Sequence, residues 1–420
     1  MIRSENIRLL KLIFFGALAL AINACTVRNK SAISKETRDS VKSVTLKIAE
    51  NIINNTSFRI IDTSTKELFE TTAGLRLSPE IKIESPYNQW QYWNGVVNIG
   101  MIYSGKIFNE QKCIDYAKRN YQFMFDNLPY FEKHYLNNYV KPSLFKFFRM
   151  SCLDDCGAMA AGLADVYGFE NDKRYFSYLQ RTADYITKKQ NRLPDGTLAR
   201  PVPDSLSVWA DDLYMSVPFL ARFGKITNDT SYWDDACNQV KKFQKYLVNR
   251  NNGLYAHCWY NAKGKTNGAY WARCNGWILM AEVELLNCLP ESYPQKEKVM
   301  KIFQQHVKSL VTFQNASGLW HQLLDKEDSY LETSASAMFV YSIAKGINEG
   351  WIESRYDDIA LKGWNGLLTM IDKKGNVDGI CIGTNTNDDL IYYYQRPYRI
   401  NDIHGLGAVL LAGAEVYNLR

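Results

Sequence analysis

Six segments of this 420-residue chain follow one plan: an aromatic or acidic opening, then Gly and small residues, then an apolar run. They are "WNGVVNIGMIY" from Trp93, "LDDCGAMAAGLADVY" from Leu153, "WADDLYMSVPFLARF" from Trp209, "WARCNGWILMAEVELL" from Trp271, "ETSASAMFVYSIAKGI" from Glu332 and "DIHGLGAVLLAGAEVY" from Asp402. Their starts recur roughly every 55–70 residues, the length of one helical hairpin with its loops. Each run is apolar nearly all round, so as a helix it must be buried on every side.

Between these runs lie charged segments with apolar positions at three-to-four spacing, among them "KCIDYAKRNYQFMFDNL", "YFSYLQRTADYITKK" and "YWDDACNQVKKFQKYL". That spacing predicts helices with one buried face. A further one, "TRDSVKSVTLKIAENIINN", precedes the first apolar run. Six outer and six inner helices in alternation make an all-α fold, an (α/α)6 barrel, with minor β decoration at its mouth near "DGTLARPVPD". The inner helices run parallel, so their N-termini, with unpaired N–H groups and partial positive charge, gather at one end. That end suits a carboxylated ligand, and every motif falls there because each opens its helix.

No Pro- or Ser-rich linker follows residue 35, so residues 36–420 read as a single domain. The start reads as an export signal over residues 1–25. Arg3, Arg8 and Lys11 precede the apolar "LIFFGALALAI", which ends at "INAC". Ala24 before Cys25 fits a lipoprotein signal, with Asn23 departing from the usual small residue; an ordinary secretory signal is the alternative. Residues 26–35 read as a tether. The expectation is an exported protein, periplasmic or attached to the outer membrane of a Gram-negative bacterium, touching the membrane only through a lipid on Cys25.

Asp154 and Asp155 open the second apolar run, and Asp211 and Asp212 open the third behind Trp209. Helix capping explains any one of them. Two acidic pairs on neighbouring inner helices face each other across the mouth, as paired carboxylates do in glycan hydrolases. A like charge and an aromatic wall then raise the pKa of one carboxyl and keep it protonated as an acid. His257 lies in "GLYAHCWY", either as a donor to substrate or as a structural histidine. "YWARCNGW" supplies Trp271, Arg273 and Trp277. A cation near a helix N-terminus gains nothing from the dipole, so Arg273 points to an anionic ligand, with an Arg–Asp pair as the competing reading. His321 in "GLWHQLLD" and His404 in "NDIHG", with Trp93, complete the candidate substrate contacts. Arg396 and Arg399 fit the surface equally well.

The net charge is only +6, with no Lys/Arg block, which argues against nucleic acid. Walker, HExxH, GxSxG and dinucleotide motifs are absent from the sequence. Cys152 and Cys156 sit four apart without a second Cys/His pair, so no metal is expected. Cys156, Cys258, Cys274 and Cys288 lie in apolar or helical stretches and read as small buried hydrophobes.

From about Trp90 onward the chain resembles glycoside hydrolase family 105, the unsaturated rhamnogalacturonyl hydrolases, six-hairpin relatives of the family 88 unsaturated glucuronyl hydrolases. The resemblance rests on "LDDCGAMAAGL", "VWADDLYMSVPFL", "WARCNGWILMAEVELL", "GLWHQLLD", "YLETSASAMFVYSIAKGI" and "NDIHGLGAVLLAGAE". It implies removal of a 4,5-unsaturated uronic acid from the non-reducing end of lyase-generated rhamnogalacturonan or pectin oligosaccharides, by hydration of the enol ether and without cofactor. It matches Asp211 to the general acid/base, Asp154 to the second carboxylate, His257 to a substrate-contacting histidine, and Trp271 and Arg273 to the pocket wall. Trp209 then serves as platform, and Asp212 as cap and pKa neighbour. The competing readings are an inverting hydrolase or a lyase for saturated glycans on the same barrel, and a non-catalytic glycan-binding lipoprotein. The +1 sugar and the oligomeric state are left open.

Overall fold

A computed structural model describes residues 33–137, 141–203 and 205–419. The expected export signal, and the tether up to residue 32, lie outside the described residues. Fifteen α-helices are described, numbered here in chain order: α1 Lys35–Asn54, α2 Tyr92–Phe108, α3 Gln111–Leu136, α4 Phe145–Arg149, α5 Gly157–Glu170, α6 Lys173–Asp184, α7 Asp211–Tyr214, α8 Val217–Thr227, α9 Thr230–Leu247, α10 Ala272–Cys288, α11 Lys296–Leu310, α12 Thr333–Asn348, α13 Asp357–Leu368, α14 Leu390–Tyr394 and α15 Ile403–Tyr417.

The six apolar runs form the inner ring. Helix α2 packs on α5, α5 on α8, α8 on α10, α10 on α12, α12 on α15, and α15 closes back on α2. The ring closes because its helices carry no bulk where they meet. A Cβ on Gly95 would collide with the Ala158 carbonyl, and one on Gly407 would lie 2.6 Å from the Val96 backbone. Around the ring α1, α3, α6, α9, α11 and α13 each bury one face. In α1 that face is Val41, Thr45, Ile48, Ala49 and Ile52, the three-to-four spacing read from the sequence.

Inner helices α2, α5 and α8 end on Asn109, Asn171 and Asn228, all left-handed, where Asn is tolerated at little cost. Asp172 and Asp229 follow as N-caps, accepting from the Arg174 and Ser231 amides. These Asn–Asp turns reverse the chain at the end remote from the acidic pairs.

Short strands decorate the mouth. Strand β4 (Ser207–Trp209) pairs antiparallel with β5 (Cys258–Tyr260), which pairs with β6 (Lys265–Thr266). Strand β7 (Trp320–His321) pairs with β8 (Leu331–Glu332), and β9 (Ile380–Cys381) with β10 (Tyr398–Arg399). Strands β1 (Ile60–Asp62), β2 (Leu68–Phe69) and β3 (Ile81–Ile83) form a separate small sheet between α1 and α2. The eight cysteines of the described residues are free thiols, six of them buried.

Candidate active site

The register of β4 on β5 sets the centre of the mouth. Trp209 lies opposite Cys258, and the Ala210 amide donates to the His257 carbonyl at 3.0 Å. Asp211, the next residue, opens α7, and its Oδ2 comes to 3.0 Å from His257 Nε2. The contact is close but poorly aligned, and both atoms are buried without a well-directed hydrogen bond. On its other side the imidazole is fixed by Tyr393, whose hydroxyl lies 2.8 Å from Nδ1. The Trp271 ring sits 4.7 Å from the imidazole, and Trp209 meets it edge-on at 5.8 Å.

The adjacent carboxylates part company here. Asp212 is fully buried and accepts from Arg200 at 2.6 and 2.8 Å. The same guanidinium holds Asp154 at 2.9 and 3.1 Å and lies over the Trp209 ring at 4.3 Å. Arg200 therefore joins the two acidic turns. Asp155 points away, to Arg149 and the Ser151 amide. Of the four carboxylates, Asp154 and Asp211 keep side-chain exposure, 23 % and 15 %, while Asp155 and Asp212 have none. Only the exposed pair can meet a ligand directly.

Their electrostatics differ from the sequence reading in one respect. Burial pushes Asp211 up, but the neighbouring His257, then Arg200 and Arg273, outweigh it and hold the carboxyl below its usual range. The carboxyl that rises is Asp212. Burial lifts it to about 6 despite Arg200, with Asp154 and Asp211 adding repulsion. Burial pushes both carboxyls up; what separates the pair is that Asp211 has His257 beside it, whereas Arg200 alone does not outweigh burial at Asp212.

Arg273 is fully buried. Its Nη1 donates to the Cys381 carbonyl and, at 3.3 Å, to Ser334; its Nη2 donates to the Ile382 carbonyl at 2.6 Å. It lies over the Trp271 ring at 4.6 Å. Neither the open substrate contact nor the Arg–Asp pair of the sequence reading describes this arrangement. Both terminal nitrogens are engaged with the 381–382 loop, although the charge still reaches Asp211 and Asp402. Trp277 is buried beneath the mouth between Tyr214 and Tyr92, with ring distances of 4.8 and 6.2 Å. His321 stands apart, its two ring nitrogens held by Ser329 and Asn315 of neighbouring loops. From the same strand end, Gln322 faces the site and accepts from the Trp271 indole at 3.1 Å.

A second group forms the opposite wall. Trp93 lies 4.6 Å from the His404 ring, and Tyr92 lies 5.6 Å from it. His404 is held by Asp402, and its Nε2 is buried without a partner. Burial lowers the His404 pKa, with Arg273 and Lys146 adding to the effect against Asp402, so this ring is neutral near pH 7. Tyr92 feels the charges of Arg273, Asp154, Asp211 and Arg200, which ties this wall to the carboxylates.

Arg200, Tyr393, Tyr92 and Gln322 carry much of this geometry and were not among the sequence candidates. Arg200 sits in the irregular "LARPVPD" and Tyr393 in "YYYQ", where no periodicity marks a direction for the side chain.

Comparison with known proteins places the chain. An unsaturated rhamnogalacturonyl hydrolase, YesR of Bacillus subtilis (strain 168), is 29% identical over 255 residues, covering 59% of this chain and 72% of that protein. An unsaturated 3S-rhamnoglycuronyl hydrolase of Alteromonas sp. (strain LOR) is 28% identical over 217 residues, half of each chain. Among solved structures, a possible GH105 family member from Klebsiella pneumoniae superposes with a TM-score of 0.74 at 23% identity, covering 94% of this chain and 96% of that one. A family 105 glycoside hydrolase from C. acetobutylicum gives 0.67 at 24% identity, covering 79% and 94%. At these identities the superpositions speak for the helical barrel alone. The sequence model of Glycosyl Hydrolase Family 88 matches residues 70–420, and the chain belongs to that family of glycoside hydrolases.

Proposed function

We propose that this enzyme removes a 4,5-unsaturated uronic acid from the non-reducing end of oligosaccharides left by a polysaccharide lyase, of the rhamnogalacturonan type. The observation that carries the reading is the pair of exposed carboxylates, Asp211 on His257 and Asp154 on Arg200, among Trp and Tyr rings at one end of the barrel. The names of the two relatives support the substrate class. Asp211 in its acid form gives a proton to C4 of the enol ether. Water adds at C5 and loses its proton to the resulting Asp211 carboxylate, which restores the acid. The C5 hemiketal opens to a keto acid, and the glycosidic bond breaks as the ring opens.

Asp211 is held in its ionised form by His257, Arg200 and Arg273. An anionic sugar entering the same field offsets those positive charges and raises the Asp211 pKa toward the working range. Arg200 and Asp154 hold the second turn in place, and His257 keeps Asp211 oriented.

The test is the conjugated chromophore of an unsaturated galacturonyl-rhamnose disaccharide. Wild type should bleach it. Asp211→Asn should bleach it about 10²–10⁴-fold more slowly at an unchanged melting temperature. An Asn variant retaining a tenth of the wild-type rate removes Asp211 from the role. A wild type that leaves the chromophore intact but cleaves saturated glycans overturns the substrate assignment.

A further inference from the structure

Of the carboxylates that meet at the mouth, Asp154 and Asp212 share one guanidinium, Arg200, and Asp211 rests on His257, so that cluster has no cation to spare for a further carboxylate. Resting on the reaction proposed above, the substrate brings a carboxylate of its own. Something cationic must receive it. Arg273 is the cation the sequence nominated, but its terminal nitrogens are engaged with two backbone carbonyls and Ser334, and it is fully buried. Arg200 is saturated by Asp154 and Asp212.

Lys146 is different. It lies on α4 and is half-buried. Its Nζ stands 5.6 Å from the Trp93 ring centre and 5.8 Å from that of Tyr92. Among the described residues no carboxylate, carbonyl or hydroxyl pairs with it. A lysine over aromatic rings, with no acceptor beside it, leaves its N–H donors available to a ligand, and the cation–π contact orients it weakly enough to be re-aimed. Its field reaches His404, which borders the same rings. A sugar stacked on Trp93 therefore has an unspent ammonium beside it.

We infer that Lys146 reads the carboxylate of the unsaturated uronic acid, with Trp93 as the plate beneath the sugar and Tyr92 set edge-on beside it, and that Arg273 instead fixes the 381–382 segment. Lys146 is then the residue that makes the enzyme specific for an acid over its ester or the neutral sugar.

The experiment compares wild type, Lys146→Met and Lys146→Arg on the unsaturated galacturonyl-rhamnose disaccharide and on its methyl ester. Met retains the apolar stem over the rings, so the difference reports the charge. One charge-assisted hydrogen bond predicts a rise in KM of roughly 10–150-fold for the acid in Lys146→Met. The loss should be far smaller for the ester, with partial recovery in Lys146→Arg. Equal losses on acid and ester, or no loss on the acid, overturn the inference. Calorimetric titration of the same two disaccharides reads Lys146 without requiring turnover. A wild type that does not bleach the acid, but whose preference for binding acid over ester is lost in Lys146→Met, would refute the proposed reaction while supporting this residue's role.

Discussion

At the scale of single residues, adjacent acids differ by what lies behind them. Asp212 faces the wall and is spent on Arg200, whereas Asp211 faces the cleft with only a misaligned imidazole. The sequence shows both acids and cannot show which way each turns, because a short helix start places neighbours about 100° apart without fixing the origin. His257 sets the protonation of Asp211, and this gives a pH prediction. A proton donor works only while protonated, so kcat/KM should fall as pH rises through the Asp211 pKa. His257 is the largest influence lowering that pKa. In His257→Gln that influence is gone, the pKa rises, and the alkaline fall in kcat/KM should move to higher pH. The maximal rate should drop at the same time, because the carboxyl is less well oriented. A pH–rate profile checks this; a fall that stays put or moves to lower pH contradicts the assigned coupling.

At the scale of elements, the two acidic turns are joined by close backbone packing as well as by Arg200. Gly157 opens α5 just after Asp154 and Asp155, and a Cβ there would overlap the Met215 carbonyl, which follows α7 and its Asp211. Gly157→Ala must push these turns apart. Overpacking of this kind costs about 1–3 kcal/mol, so for a chain of this length a melting temperature lower by roughly 1–4 °C is expected. The rate should fall too, since both carboxylates move. Gly168→Ala, in the same helix, meets nothing within 4 Å and serves as the control, neutral or slightly stabilising. Equal behaviour of the two variants in calorimetry would show that the junction tolerates the methyl. The "LDDCGAM" and "WADDLYM" motifs were legible as helix starts because Gly, Ala and apolar residues crowd them. Their joining was not legible. It depends on Arg200, which arrives from an irregular loop held to β4 by reciprocal bonds with Ser207, and such loops carry no period. The His321 side chain illustrates the same limit. A two-residue strand alternates its faces, and the sequence alone does not say whether His321 or Gln322 looks inward.

At the scale of the molecule, an inner ring has no spare member. Helix α15 contacts α2, α12, α1 and α13, so the last described helix closes the barrel against the first inner helix. The outline was readable in advance because a six-fold period with alternating all-round and one-sided burial has few other solutions. It carries an energetic consequence. In α15, Leu406, Val409, Leu410, Leu411 and Val416 are each at most 2 % exposed. At about 1.5–3 kcal/mol for each fully buried side chain, the five contribute roughly 7–15 kcal/mol as an upper estimate. That is as large as the whole net stability of an ordinary domain, about 5–15 kcal/mol. A chain ended at Asn401 should therefore lose cooperative folding as a whole, and shedding one hairpin from an otherwise intact barrel is not expected. The truncated chain should bind a hydrophobic dye, melt without a sharp transition and leave the unsaturated disaccharide untouched. The opposite outcome, a sharp calorimetric transition only a few degrees below that of the full chain, would show that the other inner helices hold the ring without its closing member.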